Sequence, residues 1–88
     1  MAYTIQYTDS AEKDPIVVED QTINTDTSIK LPGRNSTGYG AAIAEDLLHL
    51  LENFASPTEP STPIEGQLWY NNNTEQLLIY DGTVWVSA

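Results

Sequence analysis

The feature that most constrains the fold is a turn signal near the C-terminus. The dipeptide Asp-Gly at positions 81–82 lies between two runs of strand-forming residues, 77–80 and 83–86. This arrangement is the strongest short-range indication of a β-hairpin. With Asp-Gly as a two-residue turn, Tyr80 is expected to pair with Thr83. Successive pairs point to opposite faces, so this hairpin has two apolar faces, and an element this small must have both covered.

A third strand is predicted just before the hairpin. Leu68–Tyr70 is apolar and aromatic, and the polar run Asn71–Thr74 separates it from the strand at Leu77–Tyr80. The three segments together predict an antiparallel meander within residues 64–88.

The N-terminal part, residues 1–32, is predicted to be rich in short β-strands. Residues 3–8 alternate between apolar and polar side chains, which is typical of a strand with one covered face. Residues 16–19 form a short β-branched run, and residues 28–31 alternate again before a Pro-Gly pair. Each run is short, so we expect small strands rather than one long sheet.

A loop and one amphipathic helix are predicted over residues 33–55. The helix is expected from about Tyr39 to Ala55, with Ser36 or Thr37 as its N-terminal cap. The apolar side chains form two neighbouring stripes: Ile43, Leu47, Leu50 and Phe54, and beside them Ala44, Leu48, Leu51 and Ala55. The polar side is formed by Glu45, Asp46, His49, Glu52 and Asn53. The apolar arc is wider than 100°, which predicts a helix that packs on a sheet and touches a second surface. The spacing also fits heptad a and d positions, but two heptads are too few for an autonomous coiled coil.

A proline-rich linker connects the helix to the meander. Residues 56–63 contain three prolines, which favour an extended and semi-rigid segment. The predicted fold class is therefore α+β in a single small domain: N-terminal strands, helix, linker and C-terminal meander. At 88 residues, the hydrophobic core is expected to be modest.

The charge balance excludes several classes of partner. Thirteen acidic residues outnumber three cationic ones, the net charge is −10, and no lysine or arginine follows Arg34. Repulsion from phosphates argues against nucleic acid and against an anionic membrane as partners. The chain has no cysteine and a single histidine, His49, so a disulfide is impossible and most zinc sites are excluded. No apolar run is long enough to predict a membrane span.

Candidate chemical motifs are incomplete. Residues 33–40 have the glycine spacing of a phosphate-binding loop, but tyrosine and glycine occupy the positions of its lysine and hydroxyl residue. The run Asn24-x-Asp26-x-Ser28 resembles the start of a calcium loop without its later ligands, so an Asx-type turn is the better interpretation. His49 lies beside acidic residues and is expected to be solvated. We therefore predict no enzyme activity, no cofactor and no metal site.

The aromatic residues of the meander allow two interpretations. Trp69, Tyr70, Tyr80 and Trp85 lie on predicted strands with aliphatic cross-strand partners. They could form a platform on which a carbohydrate stacks, which requires an exposed Trp69 or Trp85. They are better interpreted as core or subunit-interface residues.

Two sequence motifs carry a resemblance to a known class of proteins. Residues 63–70 are Pro-Ile-Glu-Gly-Gln-Leu-Trp-Tyr, and residues 77–85 are Leu-Leu-Ile-Tyr-Asp-Gly-Thr-Val-Trp. This pattern resembles the G-x-L-W-Y … L-x-x-Y-D-G-x-x-W β-module of tailed-phage virion proteins, particularly fibre and baseplate-associated ones. Residues 31–35 and 44–54 are similar to the N-terminal part of structural proteins in T-even-like phages of marine cyanobacteria. Fibre proteins of this kind are usually longer and trimeric, and this chain stops after the module. The resemblance therefore implies attachment, connection or decoration rather than host recognition.

These observations lead to one main functional prediction. The chain is expected to be a virion structural protein of the tail, fibre or baseplate, a homotrimer that also binds other virion proteins and is present in the host cytoplasm before assembly. The predicted subunit interface consists of Ile43, Leu47, Leu50, Phe54, Trp69, Leu78, Tyr80 and Trp85. Alternatives are a small capsid decoration protein, a carbohydrate-binding module, and an acidic inhibitor or nucleic-acid mimic made during infection.

Overall fold

The fold is α+β, as predicted. The computed structural model describes residues 2–88. The elements in chain order are β1 (Tyr3–Ile5), β2 (Ile16–Val18), β3 (Ile23–Asn24), β4 (Leu31–Pro32), α1 (Tyr39–Leu51), β5 (Leu68–Asn71), β6 (Gln76–Tyr80) and β7 (Trp85–Ser87). The strands form two antiparallel pairs, β1–β2 and β3–β4, and one three-stranded antiparallel sheet in the order β5-β6-β7. The predicted C-terminal meander is therefore confirmed.

The two N-terminal strand pairs are joined at Gly33. Its N–H donates to the carbonyl oxygen of Thr22 over 2.7 Å, and the carbonyl oxygen of Glu19 lies where a β-carbon on Gly33 would be placed. Only glycine allows this close approach of two backbone segments. Val18, at the end of β2, is fully buried and directly precedes Glu19, whose carbonyl meets Gly33.

The helix is shorter than predicted. It ends at Leu51, and the N–H of the C-cap residue Glu52 donates to the carbonyl oxygen of Leu48. Asn53 and Phe54 both adopt φ of 55°, a left-handed conformation that stops the helix. The predicted N-cap is also wrong. Gly38 occupies that position with φ of 74° and no side-chain hydrogen bond caps the helix, because a left-handed cap residue favours glycine over serine or threonine.

The hairpin has a different register from the predicted one. Tyr80 pairs with Trp85, and residues 81–84 form a four-residue loop. Asp81 causes this change because its Oδ1 accepts the N–H groups of both Thr83 and Val84, each at 2.8 Å. The register shifts by two residues, which is one full period of a strand, so the strand residues stay on their predicted faces.

The predicted linker begins as part of the sheet. The N–H of Tyr70 donates to the carbonyl oxygen of Asn53 over 2.9 Å, and the N–H of Ser56 donates to the carbonyl oxygen of Tyr70 over 3.2 Å. Ser56 thereby forms a parallel bridge with Asn71 on the outer edge of β5. This contact fixes the end of the helix against the meander, so the connection is not a simple spacer.

The chain buries few apolar side chains on its own. Val18, Ala42 and Trp69 are the buried hydrophobic residues in the described part of the chain. The accessible surface is 5966 Å², whereas a compact protein of 9.7 kDa exposes about 5,100 Å². The radius of gyration is 14.1 Å, against about 12 Å for a compact domain of this length. The single chain is therefore open, with an unusually small core.

Candidate functional site

The helix is attached to the rest of the chain by a narrow and partly polar stripe. Ala42 and Asp46 are the buried residues of α1, and the helix contacts β4. Oδ1 of Asp46 accepts the backbone N–H of Lys30 over 2.8 Å. Asp46 was predicted on the polar side, away from the apolar stripes expected to pack on the sheet, yet it faces inward. Glu45 and Glu52 of the same side remain exposed. The backbone N–H of Lys30 needs a hydrogen-bond acceptor, and Asp46 provides it. The small side chain of Ala42 allows the helix to pack closely at the same place.

The opposite side of the helix is apolar and exposed to solvent. We call it the outer helix face, and it consists of Tyr39, Ile43, Leu47, Leu48, Leu50 and Leu51. Leu50 lies at the border of this face: it is about half exposed and also lines the cavity described below. Their exposed fractions range from 45% for Ile43 to 80% for Leu51. An exposed patch of this size in a soluble protein typically marks an interaction site. Three of the predicted interface residues, Ile43, Leu47 and Leu50, lie on it.

The outer helix face carries no charge. At about 100° per residue, its side chains span roughly 180° of the helix circumference, and no acidic or basic residue lies in that arc. Glu45 lies outside the arc and its Oε1 is 3.0 Å from Nζ of Lys30. The hydrogen bond and the positive charge of Lys30 lower the pKa of Glu45. Glu45 is therefore compensated within the chain. Two other acidic residues border the face more closely at about 100° per residue. Asp46 accepts the backbone N–H of Lys30, and Glu52 has its Oε1 3.7 Å from Nδ1 of His49.

The residues after the helix form a small aromatic contact. Phe54, the fourth predicted helix residue of the interface, lies beyond the helix end and is half-buried, with its ring stacked 5.9 Å from that of His49. Nδ1 of His49 is 3.7 Å from Oε1 of Glu52. His49 was predicted to be solvated, and it is only partly so, because Phe54 covers one side of the imidazole.

A cavity of about 470 Å³ lies between the N-terminal strands, the end of the helix and the start of the meander. Its lining is mostly apolar and comes from the first strands, the end of the helix and the segment that enters the meander; among the lining residues are Ile5, Tyr7, Ile16, Ile29, Leu31, Leu50, Phe54, Ile64 and Leu68. A polar bridge crosses this region: Nε2 of Gln67 donates to Oγ of Ser28, which donates to the carbonyl oxygen of Ser61. The parts are thus held around a gap where a larger domain has its core.

The aromatic residues of the meander pack on each other. The rings of Trp69 and Trp85 meet edge to face at 5.3 Å, and Tyr80 lies 5.0 Å from Trp85. Nε1 of Trp69 donates to the carbonyl oxygen of Ser56 over 3.2 Å, and Trp69 is only 6% exposed. Of the predicted interface residues of the meander, Trp69 is therefore inside the chain, while Leu78, Tyr80 and Trp85 are half-buried on the same face. This face is not an open platform for a sugar ring.

Sequence reasoning missed part of the exposed apolar surface. Tyr39, Leu48 and Leu51 belong to the outer helix face but not to the predicted interface, although Leu48 and Leu51 were recognised as a second apolar stripe. The other side of the meander is also more open than the tryptophan side, with Leu68, Leu77 and Val86 exposed. The width of the apolar arc was the signal that pointed to these helix residues.

The incomplete chemical motifs have structural explanations. In the loop before the helix, the guanidinium of Arg34 lies 5.6 Å from the centre of the Tyr3 ring. Asp26 donates its backbone N–H to Oδ1 of Asn24 over 2.9 Å, which confirms the Asx turn. Within residues 2–88 no three His, Cys, Asp or Glu side chains are grouped as a metal site would require. The described chain likewise contains no helix with the length and hydropathy to span a membrane.

No protein-family model matches the chain, and no curated protein or solved structure is significantly similar to it. The resemblance to phage virion proteins therefore depends on the motif residues alone.

Proposed function

We propose that this chain is a non-enzymatic structural subunit of a tailed-phage virion, acting in attachment or connection at the tail, fibre or baseplate. It works by assembling with other protein chains. The outer helix face carries this proposal, because six large apolar side chains are left in water by the chain that contains them. Burial of one such side chain contributes about 1.5–3 kcal/mol, so covering this face provides a strong driving force for association.

Two further observations support an assembly role. The single chain lines an open cavity of about 470 Å³ where a core is expected, and it exposes more surface than a compact protein of its mass. Small domains bury a smaller fraction of their surface than large ones, and oligomerisation is one way to supplement a small core. The virion setting is supported by the resemblance of residues 63–70 and 77–85 to the β-module of phage structural proteins.

The acidic charge also suits this role. A net charge of −10 keeps a protein with exposed leucines soluble before assembly. The acidic surface outside the outer helix face is suited to docking on a basic site of the particle. A nucleic-acid partner is disfavoured by the same charge.

Mass spectrometry of purified phage particles tests the proposal. We expect the chain to be present at a stoichiometric level relative to tail or baseplate proteins. If it is abundant in infected cells and absent from particles, the proposal is wrong and the acidic inhibitor is favoured. Immunogold labelling of particles then gives the position: label over the capsid shell instead of the tail supports a decoration protein.

A further inference from the structure

Building on the proposed function, we infer that the outer helix face is covered by further copies of the same chain, which form a closed ring of three or more subunits. The proposal names the partner of the helix and sets a lower limit on the number of subunits. It depends on three properties of the outer helix face: its charge, its area and its angular width.

The charge of the face favours a second copy of the chain. Two copies each carry a net charge of −10, so they repel one another unless their contact avoids carboxylates. The outer helix face contains no carboxylate. Of the acidic residues at its borders, Glu45 is paired with Lys30 and Asp46 points inward to the backbone of Lys30. The third, Glu52, lies 3.7 Å from His49. A basic partner is complementary to an acidic surface, whereas this uncharged face is complementary to another uncharged, apolar one.

The area is sufficient for a stable assembly. The chain exposes 5966 Å², about 800–900 Å² more than a compact protein of its mass. A standard-size protein interface buries about 800 Å² on each partner. The excess therefore corresponds to about one standard contact per chain, an area that each subunit of a ring divides between its two neighbours.

The angular width of the face indicates two neighbours for each helix. Contact between two helices needs only a narrow seam of a and d positions. Here one seam is formed by Ile43, Leu47 and Leu50. A second, formed by Ala44, Leu48 and Leu51, is rotated from the first by about 100°. The second seam is covered only if another helix lies beside it. When the first seam of one chain meets the second seam of the next, the contact is heterologous, and a closed ring of such contacts needs at least three chains.

Light scattering coupled to size-exclusion chromatography of the full chain is the primary test. We expect a single species of at least three times the monomer mass at micromolar concentrations. Leu47→Glu is expected to reduce the mass to that of a monomer, since it places a carboxylate in the first seam. Thr74→Glu, which adds the same charge in the exposed loop between β5 and β6, should leave the mass unchanged. A wild-type monomer, a dimer or a polydisperse filament overturns the inference, as does a Leu47→Glu variant that keeps the wild-type mass.

Cross-linking remains informative if Leu47→Glu does not fold. The chain has no cysteine, so a double variant with Leu47→Cys and Leu48→Cys carries one thiol in each seam. Treatment with a short bis-maleimide is expected to give covalent species up to the full ring, whereas Leu47→Cys alone gives much less cross-linked product. Equal products from both variants, or none, overturn the two-seam contact. A ring found in solution for a chain absent from virions supports the inference and refutes only the virion role.

Discussion

Replacement of Asp46 tests whether the polar stripe of the helix faces inward. Asp46 is 8% exposed and its Oδ1 accepts the backbone N–H of Lys30 over 2.8 Å. Asp46→Ala removes the acceptor and leaves a part-buried N–H without its bond. A hydrogen bond to a charged group contributes about 1.5–3 kcal/mol, and an unsatisfied buried donor costs about 1–3 kcal/mol. We therefore expect the free energy of unfolding to fall by about 2 kcal/mol.

Urea denaturation at fixed protein concentration is the appropriate assay, because the stability of an oligomer depends on concentration. With a slope near 1 kcal/mol/M, typical of a small protein, the midpoint should fall by about 2 M. Asp46→Asn is the matched control, since the amide oxygen can still accept the N–H of Lys30. It should cost less than Asp46→Ala. If Asp46→Ala stays within about 0.5 kcal/mol of the wild type, as substitutions of exposed residues do, the inward orientation of this stripe is refuted.

Two further predictions concern the backbone crossing and the hairpin loop. Gly33→Ala should lower the free energy of unfolding by about 1–3 kcal/mol, because its β-carbon collides with the carbonyl of Glu19; the helical control Gly40→Ala has free space and should stabilise by about 0.5–1 kcal/mol. A Gly33→Ala protein as stable as the wild type contradicts the crossing. Backbone N–H donation, first from Val84, lowers the pKa of Asp81 below 3.8. This contribution to stability is therefore present above that pH and lost as pH falls through the folded-state pKa. An NMR titration of the Asp81 carboxyl showing a pKa at or above 3.8 contradicts the loop geometry.

The meander shows how far strand patterns can be read from a sequence. The strands β5, β6 and β7 and their faces follow from the alternation of side chains and the turn residues, because the period of a strand is two residues. The length of the hairpin loop, residues 81–84, could not be predicted from these patterns. It depends on Asp81 accepting two N–H groups at 2.8 Å, a local interaction that competes with the two-residue turn. Because the register of the hairpin shifted by two residues, one full strand period, the strand side chains kept their predicted faces.

The helix shows what an apolar pattern leaves undetermined. The helical members of the stripes at Ile43 and Ala44 share one side of the helix, as predicted. Phe54 and Ala55 lie beyond the helix end, and Asp46 of the predicted polar side is buried. A periodic pattern tells which side of a helix avoids water in the final assembly, but not whether the same chain or another one covers it. The backbone donor of Lys30 decided which side faces inward. The early helix end at Asn53 and Phe54 also depends on tertiary contacts with β5, which a sequence does not display.

Thiol labelling on the outer helix face tests the central claim most directly. Leu51 is 80% exposed in the single chain, so a Leu51→Cys variant reports whether this face is covered in solution. We predict fast labelling in dilute protein and a labelling rate that falls as the concentration rises, while the rate of Thr74→Cys stays constant. A Leu51→Cys thiol that reacts as fast as the Thr74→Cys thiol at every concentration contradicts the account.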